Sequence, residues 1–273
     1  MTLLIAVPAA AAAIVAATGV ASGAPGGSLP TLDVALTGKT GVSVSESTVP
    51  SGAVNVATTF SGKGQGSFGI LRLNDGVSLQ QAFHAVQSQH GDLDALTPYG
   101  ALIVDADAPE TVQTVLKPSD NYYALNTTGN GAPAVAPFKV HKNGSPAPLP
   151  KPSSTQKAIE FGFRGSRKLH QGEIVRARNK GYLVHMNVMI GAKGKKAAHK
   201  IASGLRKGEP DKKLHRYSNG RSVDLMDPVS PGAVQQSKLH AKPGYYVEAC
   251  FMDTEDGREH TQLGMERVVR VVK

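Results

Sequence analysis

The sequence contains no tryptophan, and aromatic residues make up only 5% of its 273 positions. Glycine and proline are frequent by comparison, with 30 and 17 copies. Few aromatic residues and many turn residues are typical of short strands joined by turns rather than of long helices. The composition therefore predicts a mainly β protein, and the length leaves room for about two domains of ordinary size.

Charged residues are missing from the beginning of the chain. Residues 1–32 contain no Asp, Glu, Lys or Arg, and an Ala-rich apolar run is followed there by small residues. Such a run predicts an export signal, although roughly 20 apolar residues could also remain in the bilayer as an anchor. We assign residues 1–28 to this signal or anchor. The expected location is secreted, periplasmic or at the cell surface, with membrane contact only through a possible N-terminal anchor.

Cysteine is nearly absent, since Cys250 is the one copy in the chain. A single cysteine cannot form an internal disulfide, and a free thiol outside the cytoplasm is open to oxidation. Cys250 is therefore either a buried residue that acts as a small hydrophobic side chain or a residue with a chemical role. The residues that follow Cys250 in the sequence help to decide between these two roles.

A stretch rich in Pro, Ser and Lys occupies residues 139–156 and has no apolar periodicity. It predicts a semi-extended linker. Short alternating or β-branched runs recur on both sides, which predicts two antiparallel β-sandwich domains, at residues 30–138 and 157–273. Each has one helical segment, beginning at Ser78 and at Lys195. The same order of elements, repeated after about 120 residues, predicts a duplicated domain.

Charge divides unevenly between these halves. Residues 1–150 contain 6 Lys/Arg against 9 Asp/Glu, and residues 151–273 contain 24 against 12, so the net charges are −3 and +12. A basic half favours an acidic partner, either a redox partner protein or an acidic component of the cell envelope. Nucleic acid is not expected, because no nucleic-acid-binding motif accompanies the basic residues.

Three potential metal ligands follow one another near the C-terminus. Cys250, His260 and Met265 have the spacing C-x9-H-x4-M between two strand-like runs. Thiolate, imidazole and thioether together suit copper, whose blue electron-transfer sites use two His, one Cys and a distant axial Met. His185, at the start of another predicted strand, is the candidate for the second histidine.

Residues from about 157 to 273 resemble the cupredoxins, or blue copper proteins. In that family the first histidine follows an Asn/Gly-rich turn and precedes a β-branched strand, as Asn179, Gly181, His185 and Val188 do here. The family's closing pattern is matched by Gly244, Tyr245, Cys250, His260, Gly264 and Met265. The resemblance implies cupredoxin-like Greek-key β-sandwiches and one mononuclear type 1 copper bound by His185, Cys250, His260 and Met265. It also implies that His260 is the more exposed imidazole, where electrons would pass to a partner.

Departures from the patterns of some family members favour a single mononuclear site over a multicopper oxidase or a copper nitrite reductase. Multicopper oxidases and copper nitrite reductases have a histidine directly before the ligand cysteine, whereas this chain has Ala249 and no His-x-His pair. The Cys-to-His gap is nevertheless longer than in plastocyanin-like members. When the first half is aligned with the second by the order of their predicted elements, Phe68 falls near the position of His185 and Thr127 near that of Cys250. That half is therefore predicted to be a degenerate copy without copper, with a structural or recognition role.

Three functions remain open from the sequence. The first is an exported mononuclear type 1 copper protein that transfers electrons or carries copper. The alternative is a metal-free cupredoxin-like binding module of the cell envelope, favoured by the first half and by the basic charge of the second. The third is a redox enzyme that uses the copper, for which no substrate-binding motif is found. We expect the protein not to be an enzyme.

Overall fold

The computed structural model describes residues 28–129 and 131–273. Strands account for 50% and helices for 14% of the residues, which confirms the mainly β prediction. The predicted export segment lies outside the described residues, apart from Ser28. In the part of the chain that is described, no helix is both long and apolar enough to cross a membrane.

The first half alternates short strands with one α-helix and one 3₁₀ helix. Its elements are β1 (Thr31–Thr37), β2 (Gly41–Val44), β3 (Thr48–Pro50), β4 (Gly52–Ser61), β5 (Gly66–Leu73), α1 (Leu79–Ser88), the 3₁₀ helix η1 (Leu93–Leu96), β6 (Gly100–Ala108), β7 (Thr111–Leu116), β8 (Ser119–Asn126) and β9 (Ala134–His141).

The second half follows the same order, with a further short α-helix. Its elements are β10 (Ser154–Ile159), β11 (Gly162–Gly165), β12 (Lys168–His170), β13 (Ile174–Asn179), β14 (His185–Ala192), α2 (Lys195–Arg206), α3 (Asp211–His215), β15 (Ser218–Val229), β16 (Val234–Lys238), β17 (Gly244–Ala249), the 3₁₀ helix η2 (His260–Leu263) and β18 (Glu266–Val272).

Local sequence accounts for many of these elements. Strand β1 alternates exposed and buried positions, with Leu32, Val34 and Leu36 facing the core, as expected of a strand with one buried face. Helix α1 begins at a capping box, in which the Ser78 hydroxyl accepts from the Gln81 N–H and the Gln81 side chain accepts from the Ser78 N–H. This arrangement satisfies two backbone donors that the first turn would leave unpaired.

The strand pairing repeats between the halves. The first half has a five-stranded sheet ordered β3-β9-β8-β5-β6, and the second half has one ordered β12-β18-β17-β14-β15. The remaining strands form one eight-stranded sheet, β11-β10-β13-β16-β7-β4-β1-β2, which crosses from one half to the other. Its central pair, β16 and β7, is joined at Gln236 and Gln113. The duplicated order of elements predicted from the sequence is present in the sheet topology.

The sheets are mixed rather than purely antiparallel as predicted. Four strand pairs run parallel, namely β1–β4, β3–β9, β10–β13 and β12–β18. Each joins strands that are not consecutive in sequence. An alternating apolar pattern reports which face of a strand is buried but not the direction of its neighbour, so the sequence could not distinguish these cases.

The segment without strands between the halves is shorter than the predicted linker and is bonded to both. Strand β9 extends to His141 and β10 begins at Ser154. Between them, the Ala147 carbonyl accepts from the Ala53 N–H of the first half at 2.8 Å. The Pro150 carbonyl accepts from the Arg176 guanidinium of the second half at 2.7 Å. The segment is therefore held along the protein surface by hydrogen bonds to both halves.

Candidate metal centre

The predicted ligands His185, Cys250 and His260 come together in the second half. Their nearest donor atoms all lie within 4.8 Å of one another, and all three residues are buried. The two Nδ1 atoms are 3.2 Å apart, and the Cys250 Sγ lies 3.4 Å from His260 Nδ1 and 3.9 Å from His185 Nδ1. Metal bonds to His nitrogen and Cys sulfur measure about 2.0–2.3 Å. Donor separations of this size therefore suit one ion bound between the three atoms.

The protonation of these groups also suits a cation. Burial, reinforced by the nearby His185, lowers the pKa of His260 to about 4. Burial also lowers the pKa of His185, against the opposing effect of Glu160. Both imidazoles are therefore neutral at physiological pH, as metal ligation requires. Burial raises the pKa of the Cys250 thiol to about 12, so a bound metal would have to displace its proton.

His185 is held by the loop before β14. The Asn179 amide donates to the carbonyls of Leu183 and Val229 at 2.7 and 2.8 Å, and its oxygen accepts from the Gly181 N–H. A Cβ atom at position 181 would lie 2.7 Å from His185 Nε2, so this approach requires glycine. The Asn/Gly-rich turn identified in the sequence thus fixes the imidazole from one side.

Glu160, which the sequence analysis did not identify, bonds the other nitrogen of His185. Its Oε1 lies 3.1 Å from His185 Nε2 and accepts the backbone N–H groups of Tyr182 and Leu183. Burial alone raises the pKa of this carboxyl, but the hydrogen bonds from Leu183, Tyr182, its own backbone and His185 outweigh burial and hold the pKa below its usual value. An ionised Glu160 makes Nε2 the protonated nitrogen, which leaves the Nδ1 lone pair facing Cys250 and His260.

Cys250 directly follows β17 and packs against β14. Its sulfur accepts the Met186 N–H at 3.4 Å, a contact that would favour the thiolate. Val188 pairs with Ala249 across β14 and β17. This register fixes His185 and Cys250 near each other on neighbouring strands.

His260 begins η2 and is fully buried, like His185. The expectation that His260 is the more exposed imidazole is therefore wrong. The loop folds back so that the His260 N–H donates to the Met252 carbonyl at 2.8 Å. The Phe161 ring packs edge-on against the imidazole at 4.9 Å. Among the described residues, His260 Nε2 has no hydrogen-bond partner.

Met265 lies in the same apolar cluster as Cys250 and is fully buried. Its N–H donates to the His260 carbonyl at 2.9 Å, and its carbonyl accepts the Cys250 N–H at 3.2 Å. Gly264 precedes it at φ +104°, in the left-handed region that favours glycine. Gly264 and Met265, the Gly-Met pair that resembles the cupredoxin pattern, therefore close the loop. The role of Met265 as an axial ligand stays a prediction.

The first half also contacts the strand that carries His185. Asp94, in η1, accepts the Val184 N–H at 2.5 Å across 90 residues of sequence. Burial raises the pKa of Asp94 to about 6, although the bond from Val184 opposes this shift. No signal in the sequence could have identified Asp94, because its role depends on how the two halves pack.

The corresponding position in the first half has different residues. Phe68 pairs with Asn126, the residue before Thr127, just as Val188 pairs with Ala249, the residue before Cys250. Thr127 therefore corresponds to Cys250, as predicted. Phe68 corresponds to Val188 rather than to His185, so that prediction is wrong by three residues. The error arose because the offset between the two halves was taken from the sequence pattern, without knowledge of the strand register. The residue equivalent to His185 is Gln65.

The remaining histidines lie outside this centre and are all exposed: His84, His90, His141, His170, His199, His215 and His240. Within the described ranges, the group of His185, Cys250 and His260 is the one cluster of His, Cys, Asp or Glu with metal-ligand proximity.

A scan against protein-family models and a search of curated proteins found no match. Similar solved structures include reduced auracyanin from Roseiflexus castenholzii, at 18% identity over 44% of this chain and 95% of that one, with a TM-score of 0.27. Auracyanin A from Chloroflexus aurantiacus, described as a "blue" copper protein, shares 18% identity over 43% and 96%, with a TM-score of 0.25.

A copper-containing nitrite reductase from Thermus scotoductus is also similar, at 12% identity over 90% of this chain and 69% of that one, with a TM-score of 0.27. The auracyanins are cupredoxins, the family that the sequence resembles. The similar structures include enzymes as well as blue copper proteins, and at such identities and TM-scores the similarity carries no functional conclusion. The function has to be judged from the donor atoms of this chain.

Proposed function

We propose that this protein is an exported mononuclear type 1 copper protein that transfers electrons. The convergence of His185 Nδ1, His260 Nδ1 and Cys250 Sγ carries the proposal. Two imidazoles and one cysteine with a methionine nearby are the donor set of blue copper sites. A bound copper would supply one-electron chemistry by alternating between Cu(I) and Cu(II).

The burial of the donors supports this function over simple packing of Cys250. Three buried atoms whose lone pairs point toward each other repel unless a proton or a cation lies between them. With both histidines neutral, the protons that can lie between these atoms are the Cys250 thiol proton and, in one tautomer, the Nδ1 proton of His260. A metal ion would satisfy all three donors together, which makes metal binding the better explanation of this arrangement.

The protein's own residues would keep the donors in place in both oxidation states. Glu160 bonds the ring of His185, Asn179 holds the loop before His185, and Phe161 packs against His260. Little rearrangement of the ligands is the property that an electron-transfer site needs. Ala249, directly before Cys250, provides no imidazole to connect this centre to a second copper, which supports a carrier rather than an oxidase.

The test is to add Cu(II) to the full-length protein, remove the excess and record the visible spectrum and the copper content. We expect one copper per chain and an intense thiolate-to-copper absorption that Cys250→Ser removes. The conservative Met265→Leu variant should keep the absorption but shift the reduction potential, because the axial ligand tunes it.

A folded protein that gives no such absorption and keeps a titratable Cys250 thiol would contradict the copper proposal. That result would favour the alternative of a metal-free binding module. Steady turnover of nitrite or oxygen with an electron donor would instead identify a redox enzyme.

A further inference from the structure

The segment 193–216, which we call the basic hairpin, contains α2, α3 and their connection. It carries nine Lys/Arg against two Asp/Glu, or +7 of the chain's net +9. All nine basic residues are exposed: Lys193, Lys195, Lys196, Lys200, Arg206, Lys207, Lys212, Lys213 and Arg216. The positive charge of the protein is therefore concentrated on one short, solvent-facing element.

The lysines at the start of α2 are not placed to stabilise that helix, in contrast to Arg206 in its last turn. Lys195 and Lys196 open α2 at its positive dipole end, and the first turn has no acidic residue, an arrangement that destabilises the helix. Lys196 and Lys200 are four residues apart, so their like charges repel along the helix. The N-cap, Gly194, makes no side-chain hydrogen bond. A local cost of this kind points to a use for the charge beyond the fold.

Most of these charges are also free to meet a partner. In the described structure, the ion pairs of the hairpin involve Arg206 with Glu266 and Lys213 with Glu209. Lys196, Lys200 and the C-cap residue Lys207 lie on the side of α2 opposite its buried residues Ala198 and Leu205. They point toward solvent.

The hairpin lies against the ligand loop. Helix α2 packs on β17 and β18 and contacts η2, which begins with His260. At its end, a Cβ atom on Gly208 would lie 3.2 Å from the Gln262 side chain in η2. Arg206 pairs with Glu266, which directly follows Met265. A molecule bound to the hairpin would therefore lie beside the candidate metal centre.

We propose that the basic hairpin is the docking surface for an acidic redox protein; this inference rests on the proposed electron-transfer function. Complementary charge would steer the partner toward this face and orient it. A membrane surface fits less well, because interfacial helices insert large apolar side chains. The exposed large hydrophobic residues of the described structure are Val115, Val135 and Tyr182, and none belongs to the hairpin.

The test uses an acidic [2Fe–2S] ferredoxin as the probe and the full-length protein, both metal-free and copper-loaded. The hairpin variant is Lys196→Glu/Lys200→Glu/Lys212→Glu. The control is Lys63→Glu/Lys117→Glu/Lys142→Glu, which changes net charge equally at exposed positions of the first half. We expect the hairpin variant to weaken low-salt binding at least about tenfold, and the control to change it less than about twofold.

The same measurements separate this proposal from the copper proposal. Binding to the metal-free protein reports on the surface alone, so it can succeed even if no copper absorption appears. Equal losses in both variants, or no binding of ferredoxin, would overturn the docking proposal. Hairpin-dependent binding to vesicles with about 30% phosphatidylglycerol, without binding of ferredoxin, would overturn it in favour of an anionic membrane.

Discussion

The two halves of this protein share a strand order but not a site. Strands β5 and β8 pair in the first half as β14 and β17 do in the second. At equivalent positions, however, the first half has the exposed residues Gln65 and Thr127, whereas the second has the buried residues His185 and Cys250. The comparison shows that this topology provides a position for a metal centre, and that a few side chains decide whether donors occupy it.

The largest expected effect comes from changing equivalent positions in the two halves. Copper at about 1,000 times its Kd should stabilise the wild-type protein by about 4 kcal/mol. Cys250→Ser should abolish most of this gain, whereas Thr127→Ser should retain it. Thermal unfolding with and without Cu(II) measures both. Equal gains in the two variants would mean that the metal binds elsewhere.

A smaller effect is expected at the carboxylate behind His185. Glu160→Gln should weaken copper binding by about 10–100-fold, as is typical when the partner of a ligand histidine is lost. It should also raise the reduction potential, because a negative charge that favours Cu(II) is removed. Affinity titration and voltammetry test both effects.

The matched control is Glu255→Gln, which removes an exposed carboxylate from the loop between Cys250 and His260. An equal rise in potential in this control would mean that Glu160 acts only through long-range charge and not by holding the ring of His185.

The next prediction concerns the hydrogen bond by which Asp94 of the first half contacts Val184 of the second. Asp94→Ala should lower the free energy of unfolding by about 1–3 kcal/mol, because the buried Val184 N–H would lose its acceptor. Asp94→Asn keeps an acceptor oxygen and should cost less. Urea unfolding of the three proteins measures the difference. Equal losses would show that the charge of Asp94, rather than its hydrogen bond, supports the strand of His185.

The smallest effect concerns carboxylates that β6 and β15 bring together between the halves. Burial, reinforced by Asp107, raises the pKa of Asp105 to about 7. Burial with Asp224 and Asp107 raises that of Glu110 to about 7, and Asp227 is raised well above its usual value. These groups hold protons more tightly in the folded state. The stability that these protonated carboxyls contribute is therefore fully present below about pH 4 and is lost as the pH rises through about 7.

Asp105→Asn should accordingly raise the Tm by about 2–4 °C at pH 8 and by clearly less at pH 5. At pH 5 the folded wild-type carboxyl is still neutral, and only part of the loss in stability has developed. Asp33→Asn, at an exposed position of β1, is the control and should behave alike at both pH values. A gain at pH 5 as large as at pH 8 would contradict the role of charge crowding.

Sequence patterns predicted the parts of the fold that depend on local order. The capping residues of α1, the alternation of β1 and the run C-x9-H-x4-M are each contained in a short stretch of chain. The partners of these stretches were harder to predict. Parallel pairs such as β1–β4 and the sheet crossing at Gln113 and Gln236 depend on strands that are distant in sequence.

The same division applies to the site. Residue type and order identified His185, Cys250, His260 and Met265, because a donor set is a chemical property of side chains. The burial of His260 was predicted wrongly, since it depends on how the loop packs against Phe161. Glu160 offered only a weak signal, an acidic residue in the otherwise apolar run of residues 158–163, and Asp94 offered none.

By itself, the sequence determined which donor atoms are available, where turns interrupt the strands and where positive charge accumulates, because these properties belong to individual residues or short segments. The tertiary structure decided that three donors separated by up to 75 residues lie within 4.8 Å of one another. It also decided that the basic hairpin lies against their loop. Both depend on strand register and on burial between distant segments, which are set when the whole chain packs.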